Sequence, residues 1–164
     1  MNLIVAVCSE WGIGKNNSIL FSLPEDMNFF KQMTMGKTVI MGRKTLDSFP
    51  GGRPLKGRTN VVLTRNPSFT REGAIVCRSA EEVAEQIKGL PDDEVIVIGG
   101  EEIYRLFLPL CRKAFVTKVD TCVPDADSFF PNLDLDPEWT LTSASETMEE
   151  NGHRFRFCEY QSLR

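Results

Sequence analysis

The sequence predicts an α/β fold: a single domain whose central eight-stranded, mostly parallel sheet ends in an antiparallel C-terminal strand, with about four flanking helices. Three observations predict it. As far as Leu110, short apolar, β-branched runs alternate with helical patterns, which is the rhythm of βαβ units. Beyond Leu110 strand patterns follow one another without a strong helix, which suits an antiparallel finish at a sheet edge. Finally, 164 residues with 41% hydrophobic content suffice for one core and require no second domain.

Taken in order, residues 3–8 form a continuous apolar run, read as a strand buried on both faces. Residues 9–21, with Gly12, Gly14, Asn16 and Asn17, show neither period and read as a long loop, a candidate lid. The first helix is announced by Ser22 with Glu25 three positions later, a capping-box pattern, and by Pro24 in the first turn. At about 100° per residue, Leu23, Met27 and Phe30 make its apolar stripe, flanked by Phe29 and Met33. Residues 38–41 are a strand leading through Gly42 into a helix over 43–49. Strands follow at 60–63 and 74–77, then a helix at 80–88 with Ser79 as its N-cap. A strand at 95–98 passes through Gly99-Gly100 into a helix at 101–108, and strands at 115–120, 139–145 and 154–160 complete the sheet.

Composition narrows the function. Nineteen Lys and Arg against twenty-three Asp and Glu leave a formal charge of −4, which argues against nucleic acid as a partner. Cys8, Cys77, Cys111, Cys122 and Cys158 are odd in number and widely spaced, as expected of reduced thiols rather than a metal or redox site. The apolar run near the N-terminus lacks a basic region and is too short for a signal peptide or a membrane span. A soluble, cytoplasmic monomer without membrane contact is therefore expected. His153, the single histidine, argues against a multi-histidine metal site or a catalytic triad, and no metal is expected.

Four places carry candidate chemistry. Asp26 falls inside the apolar stripe of the first helix, beside Phe29 and Phe30 at its i+3 and i+4 positions. A shielded carboxylate calls for a ligand cation or donor pair; alternatively, Asp26 complements the helix dipole and reaches water. At Val39-Ile40-Met41-Gly42-Arg43-Lys44-Thr45, free N–H groups and two cations converge at a helix start, an anion site or else an ordinary strand-to-helix turn with surface cations. Gly99-Gly100 lets a ligand approach the main chain, although tight turns use such pairs routinely. Leu63-Thr64-Arg65, with Arg78 after the next strand, brings further cations to the same edge if the strands run parallel.

In register, these segments resemble the dihydrofolate reductase family. The resemblance rests on Ile4-Val5-Ala6, Gly12-Ile13-Gly14, Leu23-Pro24-Glu25-Asp26, the 39–45 segment, Arg53-Pro54-Leu55-Lys56-Gly57-Arg58, Ile98-Gly99-Gly100, Tyr104 and Asp127-Ser128-Phe129-Phe130-Pro131, and spans nearly the whole chain. It implies NADPH-dependent reduction of 7,8-dihydrofolate to 5,6,7,8-tetrahydrofolate in one-carbon metabolism, and sensitivity to antifolate-type ligands. It gives Asp26 the pterin as its partner and Thr117 as its support. It places Ile4, Val5, Ala6, Met27, Phe30, Phe49, Leu55, Ile98 and Tyr104 around the substrate, and gives the glutamate carboxylate to Arg58, whose fork matches it bidentately. On the cofactor side it implies Ala6, Ile13 and Ile19 near the nicotinamide and Arg43, Arg65 and Arg78 on the 2′-phosphate. Gly42, Lys44, Thr45, Leu63, Thr64, Gly99, Gly100, Glu101 and Tyr104 complete that site, with a cis peptide between the two glycines.

One departure stands out. Most of the family has Pro-Trp before the acid-bearing helix, whereas this chain has Leu20-Phe21, so the indole N–H that helps hold a water near pterin and acid is missing at Phe21. Altered kinetics and antifolate response are expected, to be checked by whether Phe21→Trp changes the pH–rate profile. Gly51-Gly52 also lengthens the loop before Arg53. Two other readings stay open: a same-fold pyrimidine reductase of riboflavin synthesis, which should lack the Asp26 and Arg58 pair, and a nucleotide-binding module without catalysis.

Overall fold

A computed structural model describes the chain from Met1 to Arg164. Its main sheet follows a path of eight strands. In spatial order these are β10 (Trp139–Ala144), β12 (His153–Ser162), β8 (Lys113–Val119), β1 (Asn2–Val7), β7 (Val95–Gly99), β4 (Thr38–Gly42), β5 (Thr59–Leu63) and β6 (Ala74–Cys77). All pairings from β8 to β6 are parallel, whereas β12 runs antiparallel to both of its neighbours. A further short strand, β11 (Met148–Glu150), pairs with β12. The central strands read as uninterrupted apolar runs because both of their faces are covered: β7 is buried at every position, and β1 at all but Ala6.

Four helices cover the two faces. On one face, α1 (Pro24–Thr34) and α2 (Arg43–Ser48) close over a core of Ile4, Val39, Met41, Leu46, Val62, Ile96 and Ile98, with Phe29, Phe30, Met33, Phe49 and Leu55 packed against it. On the other, α3 (Ala80–Ile87) and α4 (Glu101–Phe107) add Val83, Tyr104 and Phe107 to a larger core built on Leu3, Val5, Val7, Ile40 and Val97. Ser79 caps α3, its hydroxyl accepting the Glu82 N–H at 3.1 Å. No helix is long and apolar enough to cross a membrane.

Three expectations need correction. Residues 9–21 are not structureless: β2 (Gly12–Lys15) and β3 (Ser18–Ile19) form a hairpin, and β9 (Ser128–Phe129) joins them in a second sheet. Its turn is Asn16-Asn17, both at positive φ, which Asn tolerates and a two-residue hairpin requires. The strands are too short and too polar to show a period of two. Second, Ser22 does not cap α1. The N-cap is Leu23, without a side-chain cap, and the Ser22 hydroxyl lies 3.5 Å from the Met27 sulfur. Third, Met27, placed on the buried stripe, is 54% exposed, because α1 meets the sheet through Leu23, Phe29, Phe30 and Met33 and leaves Met27 outside that contact.

Candidate active site

The first turn of α1 carries Asp26 to the edge of β8, where Thr117 is 1% exposed and donates its hydroxyl to Asp26 Oδ1 at 2.6 Å. Thr117 sits opposite Ala6 of β1 and Phe157 of β12, so three strands fix the donor. Burial pushes the Asp26 carboxyl above its usual range; the Thr117 bond opposes this, and the negative charge of Glu150 reinforces it. Of the two readings of Asp26, the shielded one holds: its carboxylate is engaged by the sheet and disfavoured by its surroundings, which leaves it suited to a protonated or donor-rich ligand.

On the sheet face that α1 covers, Ile4 and Ile98 are buried, with Phe30, Phe49 and Leu55 packed against their cluster. Ala6 is half-buried. Val5 faces the other way, into the larger core, since neighbouring residues of a strand point to opposite faces, so its side chain does not share this face. Tyr104 is also committed: it is 5% exposed and donates its hydroxyl to the Ile4 carbonyl at 2.7 Å, steadying β1, and burial pushes its phenol upward. Arg58 is held over the end of α1, Nη1 donating to Thr34 Oγ1 at 3.2 Å and Nε to the Lys56 carbonyl at 2.8 Å. Thr34, missed by sequence reading, relays this support by donating to the Phe30 carbonyl at 2.7 Å.

The adjacent parallel strands β7, β4, β5 and β6 end at one edge, so Gly99-Gly100, Gly42-Arg43, Leu63-Thr64-Arg65 and Arg78 occupy consecutive positions along it. The Gly99-Gly100 peptide is cis. A Cβ on Gly42 would come within 3.1 Å of Ile103, so that glycine marks a close approach, whereas one on Gly100 would meet Thr45 Oγ1 at an ordinary 3.7 Å. The guanidiniums do not meet one another. Arg43 pairs with Asp47 at 2.9 Å, Arg65 is exposed, and Arg78 donates to the Pro67 and Phe69 carbonyls at 3.2 and 2.9 Å while its Nη1 is buried without a partner. That orphaned donor, the neighbouring cations and the N–H groups at the α2 start fit a phosphorylated cofactor. Lys44 is exposed, and Glu101 is spent on the Phe129 N–H at 2.5 Å.

Over this edge lies the β2–β3 hairpin. Asp127 brackets it, accepting the Asn16 N–H at 2.9 Å and donating its own N–H to the Gly14 carbonyl at 3.0 Å. Gly12 is required because a Cβ there would lie 2.9 Å from both Ala126 Cβ and Cys8 Sγ. Ile13 packs on the larger core, and Ile19 is 69% exposed. Phe21 meets His153 edge to face at 5.1 Å. Glu150 was also missed. Its signal was Asn151-Gly152, a hairpin dipeptide with both residues at positive φ, which fixes β11 against β12.

An acid held by the sheet, with a cationic sheet edge beside it, fits an α/β enzyme that takes a phosphorylated cofactor. Residues 1–162 match the family model described as dihydrofolate reductase. The dihydrofolate reductase of Mycobacterium leprae is 42% identical over 161 residues, covering 98% of this chain and 96% of that one. That of Haemophilus influenzae is 40% identical over 158 residues, covering 95% and 94%. The solved structure of dihydrofolate reductase from Enterococcus faecalis, complexed with NADP(H) and RAB-propyl, superposes with a TM-score of 0.88 at 29% identity, covering 99% of this chain and 96% of that one. The chain belongs to the dihydrofolate reductase family and is an NADPH-dependent oxidoreductase.

Proposed function

We propose that this chain reduces 7,8-dihydrofolate to 5,6,7,8-tetrahydrofolate with the two ligands side by side at the carboxyl edge of the sheet. The observation that carries this is the Thr117–Asp26 hydrogen bond inside a shielded cleft. When bound, NADPH supplies the hydride that reaches C6 of the pterin. Asp26 accepts from the pterin 2-amino group and N3, and its charge favours a proton at N5, delivered through solvent. Thr117 orients Asp26. Ile4, Met27, Phe30, Phe49, Leu55 and Ile98 enclose the ring and the aminobenzoyl group and exclude water, which strengthens the electrostatic hold of Asp26. Arg58 clamps the glutamate carboxylate.

Arg43, Arg65 and Arg78 hold the 2′-phosphate, and Lys44, Thr45 and the backbone at Gly42, Gly99 and Gly100 hold the pyrophosphate, while Ala6, Ile13 and Ile19 border the nicotinamide. Phe21 supplies bulk at the cleft mouth without the indole donor. Antifolate-type ligands with a protonated heterocycle compete at Asp26. The chain acts as a single-domain monomer in the cytoplasm. Mixing it with NADPH and dihydrofolate, and following the near-ultraviolet absorbance of the reduced nicotinamide, tests the reading. Steady loss of absorbance is expected, and absence of turnover with cofactor binding intact would overturn it.

A further inference from the structure

We infer that Glu150 is a positioning residue for Asp26: from the tip of the β11–β12 hairpin it fixes the N-terminus of α1 and, through its own charge, sets the proton-linked chemistry of the acid. The inference rests on the reading of Asp26 given above. Helix α1 starts without a side-chain cap of its own, which leaves its first N–H groups to find partners elsewhere. Glu150 Oε1 supplies one, accepting the Glu25 N–H at 3.0 Å across 125 positions of sequence. A carboxylate is favoured at the positive end of a helix, and by lying there it offsets the dipole that would otherwise hold Asp26 ionised.

The hairpin tip is pinned so that this charge stays in place. Glu150 pairs with His153 in register, His153 Nδ1 lies 2.9 Å from Thr121 Oγ1, its ring meets Phe21, and the Asp120 N–H donates to the Arg154 carbonyl at 2.8 Å. The titratable and charged groups at this corner are Glu25 on α1, Tyr104 on α4, Glu149 and Glu150 on β11, His153 and Arg154 on β12, and Asp120 just past β8. Arg154 lies 3.8 Å from Glu149 and forms no ion pair with Glu150. Of these charges it is Glu150's that acts on Asp26, in the direction that favours its proton-bearing form.

The test is the pH dependence of kcat and kcat/KM for dihydrofolate at saturating NADPH, with the full chain. Glu150→Gln keeps an acceptor for Glu25 and removes the charge. The midpoint of its profile should move to lower pH by about half a unit, on the order of a threefold rate loss on the alkaline limb, with melting temperature and KM near those of the parent. Glu150→Ala should show the same displacement and a lower melting temperature. Glu149→Gln removes the neighbouring charge of the same hairpin, which faces Arg154, and should leave the midpoint in place. A Glu150→Gln profile that superimposes on the parent, or an equal displacement from Glu149→Gln, overturns the inference. Asp26→Asn separates the levels: if it abolishes the pH-dependent limb while Glu150→Gln changes nothing, only the role of Glu150 falls, whereas an Asp26→Asn enzyme with normal turnover removes the catalytic reading too.

Discussion

Asp26 is held in a state that the free protein does not favour. Its carboxyl is raised above 3.8, chiefly by burial, so the stabilising influence of its protonated form is present in acid and is lost as pH rises through the folded value. Asp26→Asn should therefore melt higher than the parent near neutrality, an advantage that vanishes below pH 3.8, and calorimetry across that range checks the sign. The same change should lower turnover of dihydrofolate at neutral pH by about a hundredfold or more, the usual scale for losing a positioned proton-linked group. Much of this site was legible because a carboxylate on an apolar stripe violates patterning. Thr117 was legible only through the family resemblance, since nothing local distinguishes it from other strand threonines. Asn151-Gly152 marks the hairpin that carries Glu150, but its contact with α1 was illegible, because a contact spanning 125 positions leaves no period or spacing to detect.

At the level of elements, the strands and helices that bury whole faces matched their sequence patterns to within a residue or two. Those stabilised by a few polar contacts did not. The Ser22–Glu25 box failed because the same spacing occurs wherever Ser precedes Glu, and the first N–H groups of α1 can be satisfied from any direction. Ser79, by contrast, caps α3 as expected; Ser79→Ala should cost about 1 kcal/mol and lower the melting temperature by a few degrees. The β2–β3 hairpin escaped notice because its strands gain their order from β9 and Asp127 rather than from their own residues. Asp127→Ala should accordingly speed hydrogen exchange at the Asn16 amide on the order of fivefold, the equivalent of one net hydrogen bond, while amides of β1 and β7 stay protected.

For the molecule as a whole, the two proposed ligand sites share one sheet edge, and on that reading its cations select the cofactor. NADPH at a hundredfold excess over its Kd should stabilise the fold by about 2.7 kcal/mol, raising the melting temperature by roughly 5–10 °C. NADH at equal concentration should give a smaller rise, because it lacks the phosphate that Arg43, Arg65 and Arg78 are proposed to hold; differential scanning fluorimetry separates the two, and equal rises would count against that assignment. Fold class and sheet edge could be read from the rhythm of the chain. The second sheet could not, because it is made from segments far apart in sequence, each too short to declare itself.

The place of β1 has a kinetic consequence. Asn2 pairs with Ile96 on one side and Lys113 on the other, so the strand that carries Ile4 and Ala6, proposed to border the ligands, is seated only when remote parts of the chain have come together. Such non-local closures are slow, and they complete binding surface and fold in one act. Ligands that recognise this floor thus find little to grip before the barrier is crossed, and their effect on lifetime falls on the escape side: dihydrofolate and NADPH slow unfolding and leave the rate of refolding nearly unchanged.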